Sequence, residues 1–152
     1  MCTIIQPNDI TCKLKCDLTV YKLTAYKAEN TVSSFFYNRE VLITIGKQFS
    51  TSMSRSFPMP VAECHAFSYD EKANYIKKTG NDMAVEVREG FHSFKCFADC
   101  LREAVTLSSN FSKPVAVCEC IIPQGSEVID GYFNNIVSNR IYYTRIIHVH
   151  NN

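Results

Sequence analysis

The chain has almost no net charge and no long apolar run, and both absences narrow what it can be. Its 152 residues hold 16 Lys and Arg against 15 Asp and Glu, a formal charge of +1. Such a balance creates no field that would gather a phosphate backbone, so nucleic acid is not an expected partner. No segment reaches the roughly 18 apolar residues that span a bilayer, and the beginning of the chain has no apolar run of signal-peptide length. We therefore expect no membrane partner and a cytoplasmic location.

Templates for common catalytic reactions are absent as well. The chain has no Gly-x-x-x-x-Gly-Lys loop for a nucleotide phosphate, no Gly-x-Ser-x-Gly turn for a serine nucleophile and no His-Glu-x-x-His helix for zinc. Internal repeats and low-complexity tracts are also missing. The residue types do not specify a reaction, and whether the chain is an enzyme stays open.

Eight cysteines are the first positive feature, and their even number would suit a disulfide framework in a secreted chain. Without an export signal, reduced thiols are the better interpretation, since free cysteine packs as a small apolar side chain. Three Cys or His pairs share a face of a predicted helix or strand, but none has the two-residue spacing of zinc knuckles. We therefore predict core thiols, no metal and no cofactor. The three pairs are Cys96 with Cys100, Cys118 with Cys120 and His148 with His150.

A chain of 152 residues that is 46% hydrophobic predicts one domain with one core. Residues 1–17 show no sustained period and are expected to form an irregular arm, followed by a single domain over 18–152. We expect an α+β domain with a mainly antiparallel, twisted sheet of five to six strands. One principal helix at 94–107 packs on a face of that sheet, and a second helix is short. The predicted strands are 18–26, 41–45, 83–87, 115–122, 126–129 and 140–149, with 115–122 and 140–149 at the centre.

Two serines have the sequence context of helix caps. Ser68 lies three residues before Glu71, the spacing of a capping box, and the short helix that follows ends near Gly80. Ser93, just after Gly90, is expected to cap the principal helix. The apolar stripe of the principal helix would comprise Phe94, Phe97, Leu101, Ala104 and Val105.

Between 50 and 60 the chain is rich in Ser, Met and Pro, which predicts a long functional or mobile loop.

Several short motifs follow one another along the chain: Thr19-Val20-Tyr21-Lys22, Gly46-Lys47, Glu89-Gly90-Phe91-His92, Cys120-Ile121-Ile122-Pro123, Gly125-Ser126 and Val137-Ser138-Asn139. Together with the helix, they resemble a poorly characterised family of small bacterial and phage proteins. A similar arrangement is found in domains of unknown function attached to pentapeptide-repeat proteins. The resemblance covers roughly residues 18–149. It implies a microbial or viral origin and no particular chemistry, and segment 50–81 is an enlargement relative to the family.

His92 follows a glycine that can turn the chain and precedes the predicted helix. At a helix start, an imidazole could act as a general base or help to hold a ligand phosphate. The alternative is a structural role, in which His92 bonds the turn and orders the beginning of the helix. The structural role is favoured, because the sequence fixes no second catalytic group beside His92.

The run Phe49-Ser50-Thr51-Ser52 is similar to the Ser-Thr-Ser element of arginine-serine-glutamate ADP-ribosyltransferases. That resemblance implies hydroxyls that position a nicotinamide cofactor, an arginine on an earlier strand and a glutamate that orients the acceptor. Arg39 with Glu86 or Glu89 could fill the last two roles, although the glutamates lack the usual Glu-x-Glu form. A plain serine-rich loop is favoured. A nucleotide-dependent transferase that uses Ser50, Thr51, His92 and Glu86 or Glu89 is the second hypothesis for function.

The first hypothesis is a non-catalytic protein-interaction module, such as an accessory protein of a phage or mobile element that binds a host protein. It follows from the missing catalytic set and from aromatic and Met side chains in polar segments. Met53 and Phe57 lie in the serine-rich segment, and Tyr132 and Phe133 lie between Asp130-Gly131 and Asn134-Asn135. These four are the predicted binding residues, although Tyr132 and Phe133 could instead fold back over the core. The sequence does not predict an oligomeric state.

Overall fold

The computed structural model describes residues 3–34, 41–65, 67–132 and 134–151. The helices of this part are α1 (Tyr69–Thr79) and α2 (Phe97–Phe111), and a 3-10 turn covers Val61–Glu63. Its strands are β1 (Thr3–Ile5), β2 (Cys12–Lys13), β3 (Leu18–Ala28), β4 (Thr31–Ser34), β5 (Leu42–Thr44), β6 (Gln48–Ser50), β7 (Ser54–Arg55), β8 (Met59–Pro60), β9 (Met83–Glu89), β10 (Phe91–Phe94), β11 (Val115–Ile122), β12 (Glu127–Asp130), β13 (Asn135–Ser138) and β14 (Arg140–His150).

These strands form two antiparallel sheets, so the prediction of one sheet with five to six strands is wrong. The larger sheet has 10 strands, with the main order β2-β12-β13-β10-β3-β11-β14-β6, while β4 pairs with β3 and β5. The smaller sheet has four strands, in which β9 pairs with β1, β7 and β8. Most of the strands that the sequence did not show have two to four residues. Such pieces are too short to display a period of two.

The centre of the larger sheet is built from its longest strands. β11 pairs along its whole length with β3, from Val115 opposite Ala25 to Ile122 opposite Leu18. On its other side β11 pairs with β14, as the sequence predicts, although two bulges interrupt that ladder. The short strand expected near this pair, β12, lies elsewhere and pairs with β13 and β2.

Helix α2 packs on one face of the larger sheet, but it begins later than predicted. Residues 91–94 form strand β10, which pairs with β13, so Ser93 is a buried strand residue and not a helix cap. The N-cap is Cys96, whose side chain makes no capping hydrogen bond. The buried side of α2 carries Cys100, Ala104 and Leu107, whereas Val105 is 41% exposed. The register of the apolar stripe therefore differs from the predicted one at Val105.

Helix α1 covers the smaller sheet and has the predicted capping box. The backbone N–H of Glu71 donates to the Ser68 hydroxyl, and the backbone N–H of Ser68 donates to the Glu71 carboxylate. Gly80 closes the helix in the left-handed conformation. The buried Tyr75 hydroxyl donates to the Met83 carbonyl at 2.8 Å, which joins α1 to β9. In the described part of the chain, neither helix is long and apolar enough to cross a membrane.

The segment predicted as an irregular arm contributes strands to both sheets. β1 is fully buried and pairs with β9 from Thr3 opposite Val87 to Ile5 opposite Val85. β2 pairs with β12 at the edge of the larger sheet. The side chain of Ile5 packs with residues of both sheets, including Val85 and Val137. The beginning of the described chain thus helps to hold the two sheets together.

Candidate functional site

His92 lies in the middle of β10, between the two sheets. The Thr3 hydroxyl of β1 and Nδ1 of His92 share a hydrogen bond of 3.0 Å. The Nε2 atom is buried and has no hydrogen-bond partner among the described residues. Burial lowers the pKa of His92 to about 4, and the nearby Lys22 ammonium contributes in the same direction. The imidazole is therefore neutral near pH 7, when it is a weak base.

The hypothesis of a phosphate held by His92 at a helix start is not supported by this placement. His92 is a strand residue, and α2 begins only at Phe97. The preceding Gly90 does provide the expected special turn, with φ of +128°. A Cβ atom at this position would lie 2.4 Å from Cγ1 of Val137, so the chain needs glycine here to lay β10 against β13.

Lys22 is the polar neighbour of His92 that sequence reasoning missed. Its ammonium donates to the backbone carbonyl of His92 at 2.8 Å and lies 6.0 Å from the centre of the Phe91 ring. Burial lowers the pKa of Lys22, and the thiols of Cys120 and Cys118 oppose that shift. β3 and β10 pair only at Tyr21 and Phe94. The Lys22 side chain therefore joins the two strands beyond the point where their backbone pairing ends. In the sequence, Lys22 is an ordinary polar residue of an alternating strand.

The residues of the transferase hypothesis are only partly brought together. Ser50 and Thr51 are exposed. Ser50 lies opposite Arg140 of β14, and the backbone N–H of Thr51 donates to the Asn139 carbonyl. A hydroxyl of the same segment that does reach a candidate carboxylate is that of Ser52, which donates to Glu89 Oε2 at 3.4 Å. The described residues place no hydroxyl of Ser50 or Thr51 in hydrogen-bond contact with Glu89.

The other glutamate candidate, Glu86, is 9% exposed and forms an ion pair of 3.7 Å with Arg88. The hydrogen bond of His92 goes to Thr3 and reaches neither Glu86 nor Glu89. Arg39, the arginine of the transferase hypothesis, lies outside the described residues. A contiguous set of serine, glutamate and histidine side chains is therefore not visible in the described part of the chain.

The serine-rich segment is fixed along β9 and displays one aromatic side chain. Ser54 of β7 lies opposite Glu89 of β9, and Met59 of β8 lies opposite Ala84 of β9. Between these strands, Ser56 exchanges two hydrogen bonds with the backbone of Glu86, at 2.8 and 2.9 Å. Phe57, directly after this double contact, is 91% exposed. The segment predicted as a long loop is therefore a strand-paired bulge that presents Phe57 to solvent.

The other predicted binding residues have different surroundings. Met53 is partly buried and packs against a core cluster that includes Val87 and Val137. Tyr132 folds back over the core, where its ring meets Tyr75 edge-on at 5.1 Å and its hydroxyl accepts from the Gln6 side chain. Phe133 lies outside the described residues. Of the four predicted binding residues, Phe57 is the one that the structure shows as highly exposed to solvent.

The cysteines divide into buried and exposed thiols. Cys64, Cys100, Cys118 and Cys120 are buried, and burial raises the pKa of each thiol, that of Cys100 to about 12. The rings of His148 and His150 are stacked 5.9 Å apart. Within the described ranges, no group of three or more His, Cys, Asp or Glu side chains could hold a metal ion. The exposed thiols are Cys12, Cys16 and Cys96, and Cys2 lies outside the described residues.

Comparison of the chain with protein-family models, curated proteins and solved structures finds no match. The resemblance to small bacterial and phage proteins therefore stays a prediction from short motifs.

Proposed function

We propose that the chain is a non-catalytic protein-interaction module of a phage or other mobile element, and that it binds a host protein in the cytoplasm. The observation that carries this proposal is Phe57, a phenylalanine that is 91% exposed on an otherwise anchored segment. The origin rests on the resemblance, and the cytoplasmic setting rests on the cysteines of the described residues, which are free thiols.

The anchoring of the segment is what distinguishes Phe57 from an incidental exposed side chain. β7 and β8 hold residues 54–55 and 59–60 on the same edge of β9, and the Ser56 contacts with Glu86 fix the centre. Binding then orders little additional backbone, because the segment already has its conformation. Aromatic side chains that insert into a partner pocket commonly dominate the affinity of an interface. This combination supports Phe57 as the anchor of the proposed interface.

The test compares the wild type with Phe57→Ala on a solid support in a bacterial lysate, with retained proteins quantified by mass spectrometry. A specific partner should be reduced about tenfold or more by Phe57→Ala. The matched control is Leu42→Ala, which removes another large apolar side chain, 61% exposed, from β5. Retention of the same proteins in the same amounts by Phe57→Ala and the wild type would contradict the proposal.

A transferase remains the second candidate, because the structure brings the Ser52 hydroxyl of the serine-rich segment to the Glu89 carboxylate. The decisive assay uses labelled nicotinamide dinucleotide with the wild type and with Glu89→Gln. Turnover by the wild type that Glu89→Gln abolishes would favour the transferase over the interaction module. Thermal unfolding of the variant must match that of the wild type for this comparison to count.

A further inference from the structure

The outward face of α1 carries an apolar stripe that nothing in the described chain covers. Tyr69 is 87% exposed, Ile76 is 43% exposed, and Ala73 lies between them and is exposed as well. Positions separated by four and seven residues share one side of a helix, so these three side chains form one strip. Tyr75, the buried residue of α1, points to the other side, toward the smaller sheet.

Two opposite charges border this stripe along the same flank. Asp70 lies in the first turn of α1 and Lys77 in the last, seven residues apart, and both are exposed. Neither forms an ion pair or a side-chain hydrogen bond within the described part of the chain. Each charge is therefore available to a partner that approaches along the stripe.

We propose that a second copy of this chain covers the stripe, with the two α1 helices antiparallel about a twofold axis near Ala73 and Asn74. In an antiparallel pair about this axis, Asp70 of one copy meets Lys77 of the other, and the same pair recurs on the opposite side of the axis. The two Ala73 residues permit close approach at the centre, and Tyr69 and Ile76 fill the space on either side. The charge pattern is thus complementary to itself, which is what a twofold interface requires.

The size of the surface sets the expected strength of this dimer. An 11-residue helix is about 16 Å long, so a contact along α1 alone is below the size of a typical stable interface. We expect an association between micromolar and millimolar that strengthens at low salt, because the flanking charges are exposed and screened by ions. Phe57 is outside this stripe, so the proposed host-protein interface does not depend on the dimer.

Sedimentation equilibrium of the full chain over a range of concentrations tests the proposal, with charge reversal as the perturbation. Asp70→Lys places like charges opposite each other twice per dimer and should weaken association about tenfold or more. Lys77→Asp should act in the same way. The double variant with both changes restores opposite charges and should recover association to within about threefold of the wild type.

The double variant also distinguishes an effect on association from an effect on the stability of α1. It places a cation at the start of α1 and an anion at its end, which opposes the helix dipole, so it should be less stable than the wild type and still associate. Ala73→Glu sets two carboxylates together at the axis and should abolish association while the thermal unfolding transition persists. Phe57→Ala should leave association unchanged.

Three results would overturn the proposal. These are a chain that is monomeric at every concentration, a dimer that Asp70→Lys and Ala73→Glu do not weaken, and a dimer that Phe57→Ala abolishes. The last result would place the second copy on the surface assigned to the host protein. Loss of lysate proteins on Phe57→Ala, with the dimer intact, would leave the two proposals independently supported.

Discussion

His92 is a neutral imidazole buried between two sheets, and its protonation must cost folding free energy. Its pKa is about 4 in the folded chain, against 6.5 for the ordinary side chain. Between these values the unfolded chain binds a proton that the folded chain does not, so the stability from this residue is complete above pH 6.5 and is lost as pH falls toward 4. The difference corresponds to about 3 kcal/mol of unfolding free energy.

Urea unfolding at pH 7 and pH 4.5 would measure this contribution. His92→Gln cannot take up the proton, so its loss of stability between the two pH values should be smaller than that of the wild type by most of that amount. His65→Gln is the matched control, because it makes the same substitution at an exposed histidine. Parallel pH profiles for wild type and His92→Gln would show that His92 is not the coupled group.

Gly90 shows how a single side-chain position limits the packing of β10. Gly90→Ala places a methyl group 2.4 Å from Cγ1 of Val137 and forces a side chain into a backbone with φ of +128°. Strain and overpacking together should destabilise the fold by about 2 kcal/mol or more. Gly46→Ala also has a positive φ but meets no atom within 4 Å, so it should cost less. Equal losses for the two variants in chemical denaturation would remove the packing argument.

At the scale of the elements, the two helices begin with unequal caps. Ser68 and Glu71 satisfy each other's backbone N–H groups at the start of α1, whereas Cys96 gives α2 no side-chain cap. Cys96→Ser supplies a hydroxyl at an exposed N-cap and should stabilise the chain by about 0.5–1 kcal/mol.

Removing the existing cap should have the opposite sign. Ser68→Ala should cost about 1 kcal/mol in the free energy of unfolding, while the exposed Ser52→Ala should change stability far less. The midpoints of thermal unfolding of the three variants would check both predictions. A destabilised Cys96→Ser would mean that the thiol makes packing contacts that outweigh the new hydrogen bond.

The elements of this chain that could be predicted from the sequence are the long ones and those encoded by a few adjacent residues. The capping box of α1 could be found because a few adjacent residues encode it, and the β11–β14 pair because both strands are long and rich in β-branched or aromatic residues. The sequence places the end of β10 in α2, since Phe94 continues the helical spacing of Phe97 and Leu101 and Ser93 precedes it as a cap residue. The strand is decided by its distant partners β13 and β3, and a local pattern does not contain that information.

The candidate site was predictable to a smaller extent, because its contacts join distant parts of the chain. Thr3 meets His92 across 89 positions, and Lys22 reaches the carbonyl of His92 across 70. The exposure of Phe57 could be predicted from its polar surroundings. The pairing of β7 and β8 with β9, which fixes Phe57, could not be predicted, because strands of two residues leave no period in the sequence.

At the scale of the whole molecule, the two sheets share a core, and the thiols report whether that core opens. Cys64 lies in the cluster between α1 and the smaller sheet, Cys100 lies on the buried side of α2, and Cys118 and Cys120 lie in the largest cluster of the larger sheet. Burial raises the pKa of all four thiols, which removes the thiolate that alkylating reagents attack. Cys96, at the exposed start of α2, is the accessible reference in the same chain.

Alkylation with iodoacetamide under native conditions, resolved by peptide mass spectrometry, should therefore modify Cys96, Cys12 and Cys16 well before the buried thiols. If the sheets open together, Cys64 and Cys118 should become reactive at the same urea concentration, because the cluster around Ile5, Val85 and Val137 couples them. Reaction of Cys64 at a lower urea concentration than Cys118 would show that α1 and the smaller sheet open on their own. Reaction of Cys118 at the native rate of Cys96 would contradict the packing of the larger sheet, since a fully buried thiol must wait for unfolding before it can be alkylated.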